Sequence, residues 1–415
     1  MLLIKNIREL VNILEDGKPF ASGEEMQDLK TLTDAWLLVD EGRIHSYGTM
    51  NQVPEELLGN RAVEVLDASG GMVFPSFCDS HTHLVYAGSR EKEYVDKIRG
   101  LSYEEIFKRG GGILNSARRL HETSEEQLIE EALPRLEEIL RYGTGAVEIK
   151  SGYGLTVEDE LKMLRVIRQL KTLTPMTIRS TFLGAHAVPL EYKGKQSEYV
   201  DLVINEMIPL VAAEELADFI DVFCDKGFFT PDETERILMA GMKHGMRAKL
   251  HANELDFSGG IQVGVKYNAL SVDHLEYTGE QEIEVLKNSG TMPTILPGAA
   301  FFLNMIHAPA RKMISSGLPL AFASDFNPGS SPSGNMQLIL SMACIQYRLL
   351  PSEAIMATTL NTAYAMGVED ELGSITAGKK ANLLVTWPIS SVEFMPYAYG
   401  SNKVRHGILN GILQF

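Results

Sequence analysis

An alternation in the middle of the chain constrains the fold more than any other feature. Eight apolar, β-prone runs each end in polar residues, and amphipathic segments lie between them. The runs are MVFPSFCDSHTH, GAVEIKSGYG, TIRSTFLGAH, FIDVFCDKG, RAKLHANE, LSVDHLE, TMPTILPG and PLAFASDFNPG. Helical patterns such as SEEQLIEEALPRLEEILRYG and TPDETERILMAGMKHG separate them. The second opens on Thr230 before Pro231 and closes at Gly245, the start and stop signals of a helix. Pro134, inside the first, predicts a kink or a break. Eight strand–helix units predict a closed parallel (β/α)₈ barrel. An open doubly wound sheet is the alternative, but its glycine-rich fingerprint is absent after the first run. In a barrel the active site forms at the C-terminal ends of the strands, where most of the chemically suggestive residues fall.

At 415 residues the chain exceeds one barrel of about 250 residues, so a second unit is expected. Both ends are β-rich. AWLLVDEGRIHSYG (35–48) reads as a hairpin around Asp40, Glu41 and Gly42, and ELGSITAGKKANLLVTWP and VRHGILNGILQF read as strands. The expected architecture is α/β: a barrel over 71–370, and a small composite β domain, sandwich-like, from 1–70 plus 371–415. The net charge of -17 argues against a nucleic-acid partner. Cys78, Cys224 and Cys344 imply no disulfide framework and read as buried reduced thiols. No signal peptide or membrane-spanning run is visible, so no membrane partner and a cytoplasmic location are expected.

The chemistry gathers at strand ends. In Asp79-Ser80-His81-Thr82-His83, alternate residues of an extended strand place both imidazoles on one side. His251 and Glu254 end the fifth run, Asp273 and His274 the sixth, Ser324 and Asp325 the eighth. Each residue alone could be an ordinary polar group closing a strand. Together, His81, His83, His251 and Asp325 make a nitrogen-plus-carboxylate set suited to Zn²⁺ or Fe²⁺, with a position open to water. A metal so held lowers the pKa of bound water.

This pattern resembles the amidohydrolase superfamily, and the closing GSITAGKKANLLV is similar to the return of those enzymes to their small β domain. HTHLVYAGSREKEY, RGGGI, EIKSGYGL, FLGAHAVP, LHANE, SVDHL and ASDFNPGSSP resemble the imidazolonepropionases more closely. That resemblance covers essentially the whole chain. It implies hydrolysis of 4-imidazolone-5-propanoate to N-formimino-L-glutamate in histidine degradation, one Zn²⁺ or Fe ion per subunit, and a homodimer. Binuclear relatives carry a lysine at the end of strand four. Here Phe223-Cys224-Asp225-Lys226 stands there and Lys150 belongs to strand two, which favours a single metal.

The resemblance also implies site roles. Arg90 would hold the substrate carboxylate through paired guanidinium hydrogen bonds. Tyr153, His186 and Glu254 match ring and tail contacts. Asn327, Gly329 and Ser330 match contacts to the tail or the opened product, with glycine letting backbone N–H groups approach an anion. Without the resemblance, Arg90 reads as a surface cation and NPGSS as a turn. Asp325, then Glu254, then His274 are the candidates to deprotonate the attacking water. A hydrogen bond from His186 or His274 would steady the oxyanion. The GGGI segment at 110–113 reads as a loop near the site. Two other classes fit less well: a deaminase or cyclic-amidine hydrolase of the same superfamily acting on another ring, and a non-catalytic scaffold, which should have lost ligands.

Overall fold

The structure is a computed structural model describing residues 1–15, 17–101, 105 and 111–415. Gly110 of the GGGI segment lies outside the described residues.

The alternation folds as a barrel. Its strands, in order, are Phe77–Asp79, Thr144–Lys150, Thr177–Ala185, Phe219–Cys224, Leu250–Ala252 (preceded by the short Arg247–Ala248), Ser271–His274, Met292–Ile295 and Ala321–Phe322. All neighbours pair in parallel, in sequence order. The sheet closes through a parallel bridge between Thr82 and Phe326 and through the Asp325 N–H, which donates to the His81 carbonyl at 3.0 Å. The closure therefore lies among the candidate ligands.

The termini form one mixed sheet, in the order Ile412–Leu413, Val404–Leu409, Leu383–Thr386, Met72–Pro75, Leu2–Val11, Thr31–Asp40 and Arg43–Thr49, with Glu64–Asp67 also on Leu2–Val11. Ile4, Ile7, Leu10, Leu37, Val39 and Ile408 fill its core. The predicted hairpin turn is present, with Glu41 and Gly42 both at positive φ (46° and 78°), which suits the twist of paired strands. Met72–Pro75 belongs to this sheet, past the boundary expected at residue 70. The first apolar run is thus two strands. The Ser76 N–H donates to Asn382 of the terminal segment and the Phe77 N–H to Gly143 of the barrel, so the chain changes sheets between consecutive residues.

The helix Glu125–Arg141 runs through Pro134 as a single element, capped by Ser124 Oγ accepting from the Gln127 N–H. Leu128, Ala132, Leu136 and Ile139 repeat at helical spacing and are buried. Burying each of the larger ones stabilises by roughly 1.5–3 kcal/mol. Pro134 and Glu130 face solvent, so the carbonyl that proline leaves without a partner can be hydrated. The second helix, Pro231–Lys243, has the predicted Thr230 cap, reciprocated by Glu233. Cys78 and Cys224 are buried, whereas Cys344 is half-buried; burial raises all three thiol pKa values. No described helix is long and apolar enough to cross a membrane.

Candidate active site

His81, His83, His251 and Asp325 converge at the C-terminal end of the barrel. Nε2 of His83 lies 3.3 Å from Nε2 of His81 and 3.3 Å from Nε2 of His251. Asp325 Oδ1 is 3.6 Å from Nε2 of both His81 and His83. Asp325 adopts a left-handed backbone (φ 53°), an unusual conformation for a non-glycine residue.

The far sides of the rings are held. His81 Nδ1 lies 2.6 Å from Asp273 Oδ2, and His251 Nδ1 lies 2.9 Å from Asp221 Oδ2. Facing carboxylates, these Nδ1 atoms carry the ring protons, so both Nε2 atoms are bare lone pairs. Burial first, then surrounding basic groups, hold the imidazoles of His81, His83 and His274 well below the ordinary histidine value. Converging lone pairs repel unless a cation sits among them. Their 3.3 Å spacing matches the edge of a tetrahedron with metal–nitrogen bonds of roughly 2.0–2.1 Å. Burial lifts the Asp325 carboxyl to about 7, a penalty a cation would offset. Carboxylates behind ligand histidines are the usual support of such sites. The donor set therefore fits a metal ion.

Beneath it, Lys150 Nζ lies 2.6 Å from Glu148, 2.9 Å from Asp221 and 3.9 Å from Asp273. Burial opposes its charge, but these carboxylates outweigh burial and keep it protonated. Lys249 also binds Glu148 and donates to the Ser80 carbonyl at 2.9 Å. Lys150 thus ties together the two carboxylates behind His81 and His251.

Glu254 and His274 stand beside this cluster, with His274 Nε2 3.7 Å from Glu254 Oε2. Asp225 holds this loop, accepting the N–H groups of Glu254 (2.7 Å) and Leu255 (2.9 Å). Burial, then the nearby Asp325, pushes the Glu254 carboxyl up to about 8. Asn253, His274 and Leu275 all have positive φ, so both loops carry backbone strain.

His186 stacks at 5.3 Å on His83, and Tyr153 lies 5.6 Å from His186. The Nδ1–H of His186 donates to the Gly152 carbonyl at 3.0 Å. Burial holds its pKa down to about 3, so the ring is neutral and Nε2 is an acceptor. The expectation that His186 donates to an oxyanion does not suit this tautomer. Gly152 has φ 109°, and a β-carbon there would stand 2.9 Å from His186 Nδ1, which explains the glycine in SGYG. Burial raises the Tyr153 hydroxyl well above its usual value, so it stays protonated.

Arg90 gives Nε (2.9 Å) and Nη2 (2.6 Å) to one oxygen of Glu93, and Asn115 fixes the other oxygen at 3.0 Å. Lys97 Nζ donates to the Gly329 carbonyl at 3.0 Å. The N–H groups of Gly329 and Ser330, expected to face an anion, both donate to Asn327 Oδ1 at 2.8 Å. Asn327 Nδ2 in turn donates to the Asp325 carbonyl (2.7 Å), and Ser330 Oγ lies 3.3 Å from Asp325 Oδ2. Loop polarity is spent on holding Asp325. A cavity of about 880 Å³ is lined by His83, His251, Asp325, Glu254, His274, His186, Tyr153, Arg90, Asn327, Gly329 and Ser330, with Phe302 and Leu303 on its apolar wall. Every predicted site residue but the buried His81 lines it, and His81 touches His83 and Asp325 from behind.

The profile of the amidohydrolase family matches residues 72–412. An imidazolonepropionase of Flavobacterium johnsoniae is 53% identical over 409 residues, covering 99% of this chain and 98% of its own. The chain belongs to the imidazolonepropionase family of amidohydrolases.

A second imidazolonepropionase, from Christiangramia forsetii, is 52% identical over 412 residues, 99% of either chain. Among solved structures, E. coli guanine deaminase superposes with TM-score 0.76 at 16% identity, covering 100% of this chain and 98% of its own, a likeness of fold. Sequence reasoning missed several residues of this imidazolonepropionase-family site. Asp221 and Glu148 sit inside apolar strands, and a lone carboxylate in such a run was the available signal. Glu93 and Lys97 sit in a polar helix, where nothing distinguishes them from a solvated face. Lys226, at the end of strand four, is exposed and paired with Asp256 at 2.6 Å.

Proposed function

We propose that the chain hydrolyses 4-imidazolone-5-propanoate to N-formimino-L-glutamate, the ring-opening step of histidine degradation. The observation that carries this is one cavity lined both by the histidine–aspartate cluster and by Arg90, the two features a cyclic amide with a carboxylate tail needs. Identity of 53% to a curated imidazolonepropionase over nearly the whole chain supports the substrate assignment.

We infer one Zn²⁺ or Fe ion per subunit, held by His81, His83, His251 and Asp325. Such an ion supplies Lewis acidity and lowers the pKa of water. Lys226 pairs with Asp256 at the surface, which supports a single ion. His274 stands within reach of the same cluster. The remaining work falls to side chains. Arg90 Nη1 and the Tyr153 hydroxyl orient the substrate, and His186 Nε2 accepts a ring N–H. Asp325 takes a proton as the oxygen of water bonds to the ring carbonyl carbon. The carbon–nitrogen bond then breaks, and the leaving nitrogen receives a proton from Glu254, which its raised pKa keeps protonated near neutrality. His274, neutral and beside Glu254, bridges the acid to the reacting centre. The two carboxyls are thereby assigned opposite roles. We further propose a homodimer, the commonest symmetric assembly.

Metal-loaded protein given imidazolonepropionate should form N-formimino-L-glutamate, and a chelator-stripped control should not. Absence of product from a metal-loaded sample rejects the assignment; ammonia release from another ring would move the chain to the deaminases.

A further inference from the structure

Among the described residues, three lysine or arginine side chains line the cavity: Arg90, Lys97 and Lys226. Two are matched to carboxylates. Arg90 spends Nε and Nη2 on Glu93, and Lys226 pairs with Asp256 at 2.6 Å. Lys97 is not so matched. It lies four residues beyond Glu93 on the Glu91–Ile98 helix, hence on the same face. Its Nζ donates to the Gly329 carbonyl at 3.0 Å and lies 5.5 Å from the centre of the Phe302 ring. Among the described residues no carboxylate stands within ion-pair distance of it. An ammonium has three N–H donors, and one carbonyl takes one of them.

A carboxylate approaching Arg90 meets a pair, not a lone cation, and the Glu93 oxygens repel it. Arg90 can still align the ligand through Nη1, which lies against Gly329. The net attraction must come from elsewhere on the same wall, and Lys97 converges on Gly329 too. Burial, then the like charge of Arg90, already depresses the Lys97 pKa, so an incoming anion would relieve an existing penalty.

We propose that Lys97 is the specificity-determining cation of the carboxylate subsite, with the Arg90–Glu93 pair setting the orientation of the bound tail. This deepens the assigned function and rests on the ligand carrying a carboxylate. A purely structural role would instead have Lys97 pin the 327–331 loop through the Gly329 carbonyl.

Two non-reacting probes separate these roles in the metal-loaded enzyme: 3-(imidazol-4-yl)propionate and 4-ethylimidazole, one with the carboxylate and one without. Calorimetric titration of wild type should give tighter binding of the propionate. Lys97→Met should weaken the propionate roughly 10- to 100-fold, the range for a hydrogen bond to a charged group, and leave ethylimidazole within about twofold. Lys97→Arg should recover most of the loss. Equal weakening of both probes assigns Lys97 to loop tethering and overturns the proposal. So does unchanged binding of the propionate, or a wild type with no preference for it. Turnover of imidazolonepropionate by wild type tests the reaction separately, and either result can fail alone.

Discussion

Gly329 leaves room for Arg90: a β-carbon at that position would press on Nη1 and stand 2.8 Å from Cζ. The guanidinium cannot swing aside freely, because Nε and Nη2 are tied to Glu93 and Glu93 is tied to Asn115. Gly329→Ala should therefore raise KM for imidazolonepropionate by roughly tenfold with kcat changed far less, the pattern of lost ground-state binding. Steady-state kinetics check this. An unchanged KM would mean that Arg90 relocates without cost.

Asp325→Asn removes the proposed ligand carboxylate and the proposed base in one step. Loss of a positioned general base alone costs about 10²–10⁴-fold, so turnover should nearly vanish. Metal content measured on the same sample separates a failed base from an empty site. Near-normal kcat would exclude Asp325 from proton transfer.

The pH dependence of kcat should carry the Glu254 signature. Its carboxyl is pushed up to about 8, so the protonated, donating form is present below that pH and lost above it. Activity should fall on the alkaline side near pH 8. Glu254→Gln cannot supply the proton, so it should lower kcat and flatten that limb. A variant that keeps the wild-type limb would assign the ionisation to another group.

Asp273 holds His81 at 2.6 Å and has no place at the reacting centre. Asp273→Asn should weaken metal retention by about 10–100-fold, the usual effect of losing a carboxylate behind a ligand histidine. Competition against a graded chelator measures it. Retention equal to wild type would show that packing alone orients His81.

Much of this site was legible because its candidate ligands end strands. His81, His83, His251 and Asp325 each follow an apolar run, and barrel geometry carries strand ends to one rim. The sheet switch at Ser76 is marked in MVFPSFCD by Pro75 alone, and nothing in the apolar pattern distinguishes one sheet from the other. The part Asn327 plays inside its own loop was hidden for a different reason. NPGSS is read equally well as an anion-binding turn or a self-bonded one, and only the direction of its amide oxygen decides. Lys150 shows the same limit. Its charge is visible in sequence, but the carboxylates around it come from strands two, four and six.

The strand switch also bears on how the chain is made. Met72–Pro75 leads almost directly to His81, yet it pairs with Leu383–Thr386. During synthesis the strand that launches the barrel leaves the ribosome long before its partner. The nascent chain must wait for more than 300 residues before that edge is covered. A segment left open to mispairing in the unfinished protein is thus the one that leads into His81 and His83.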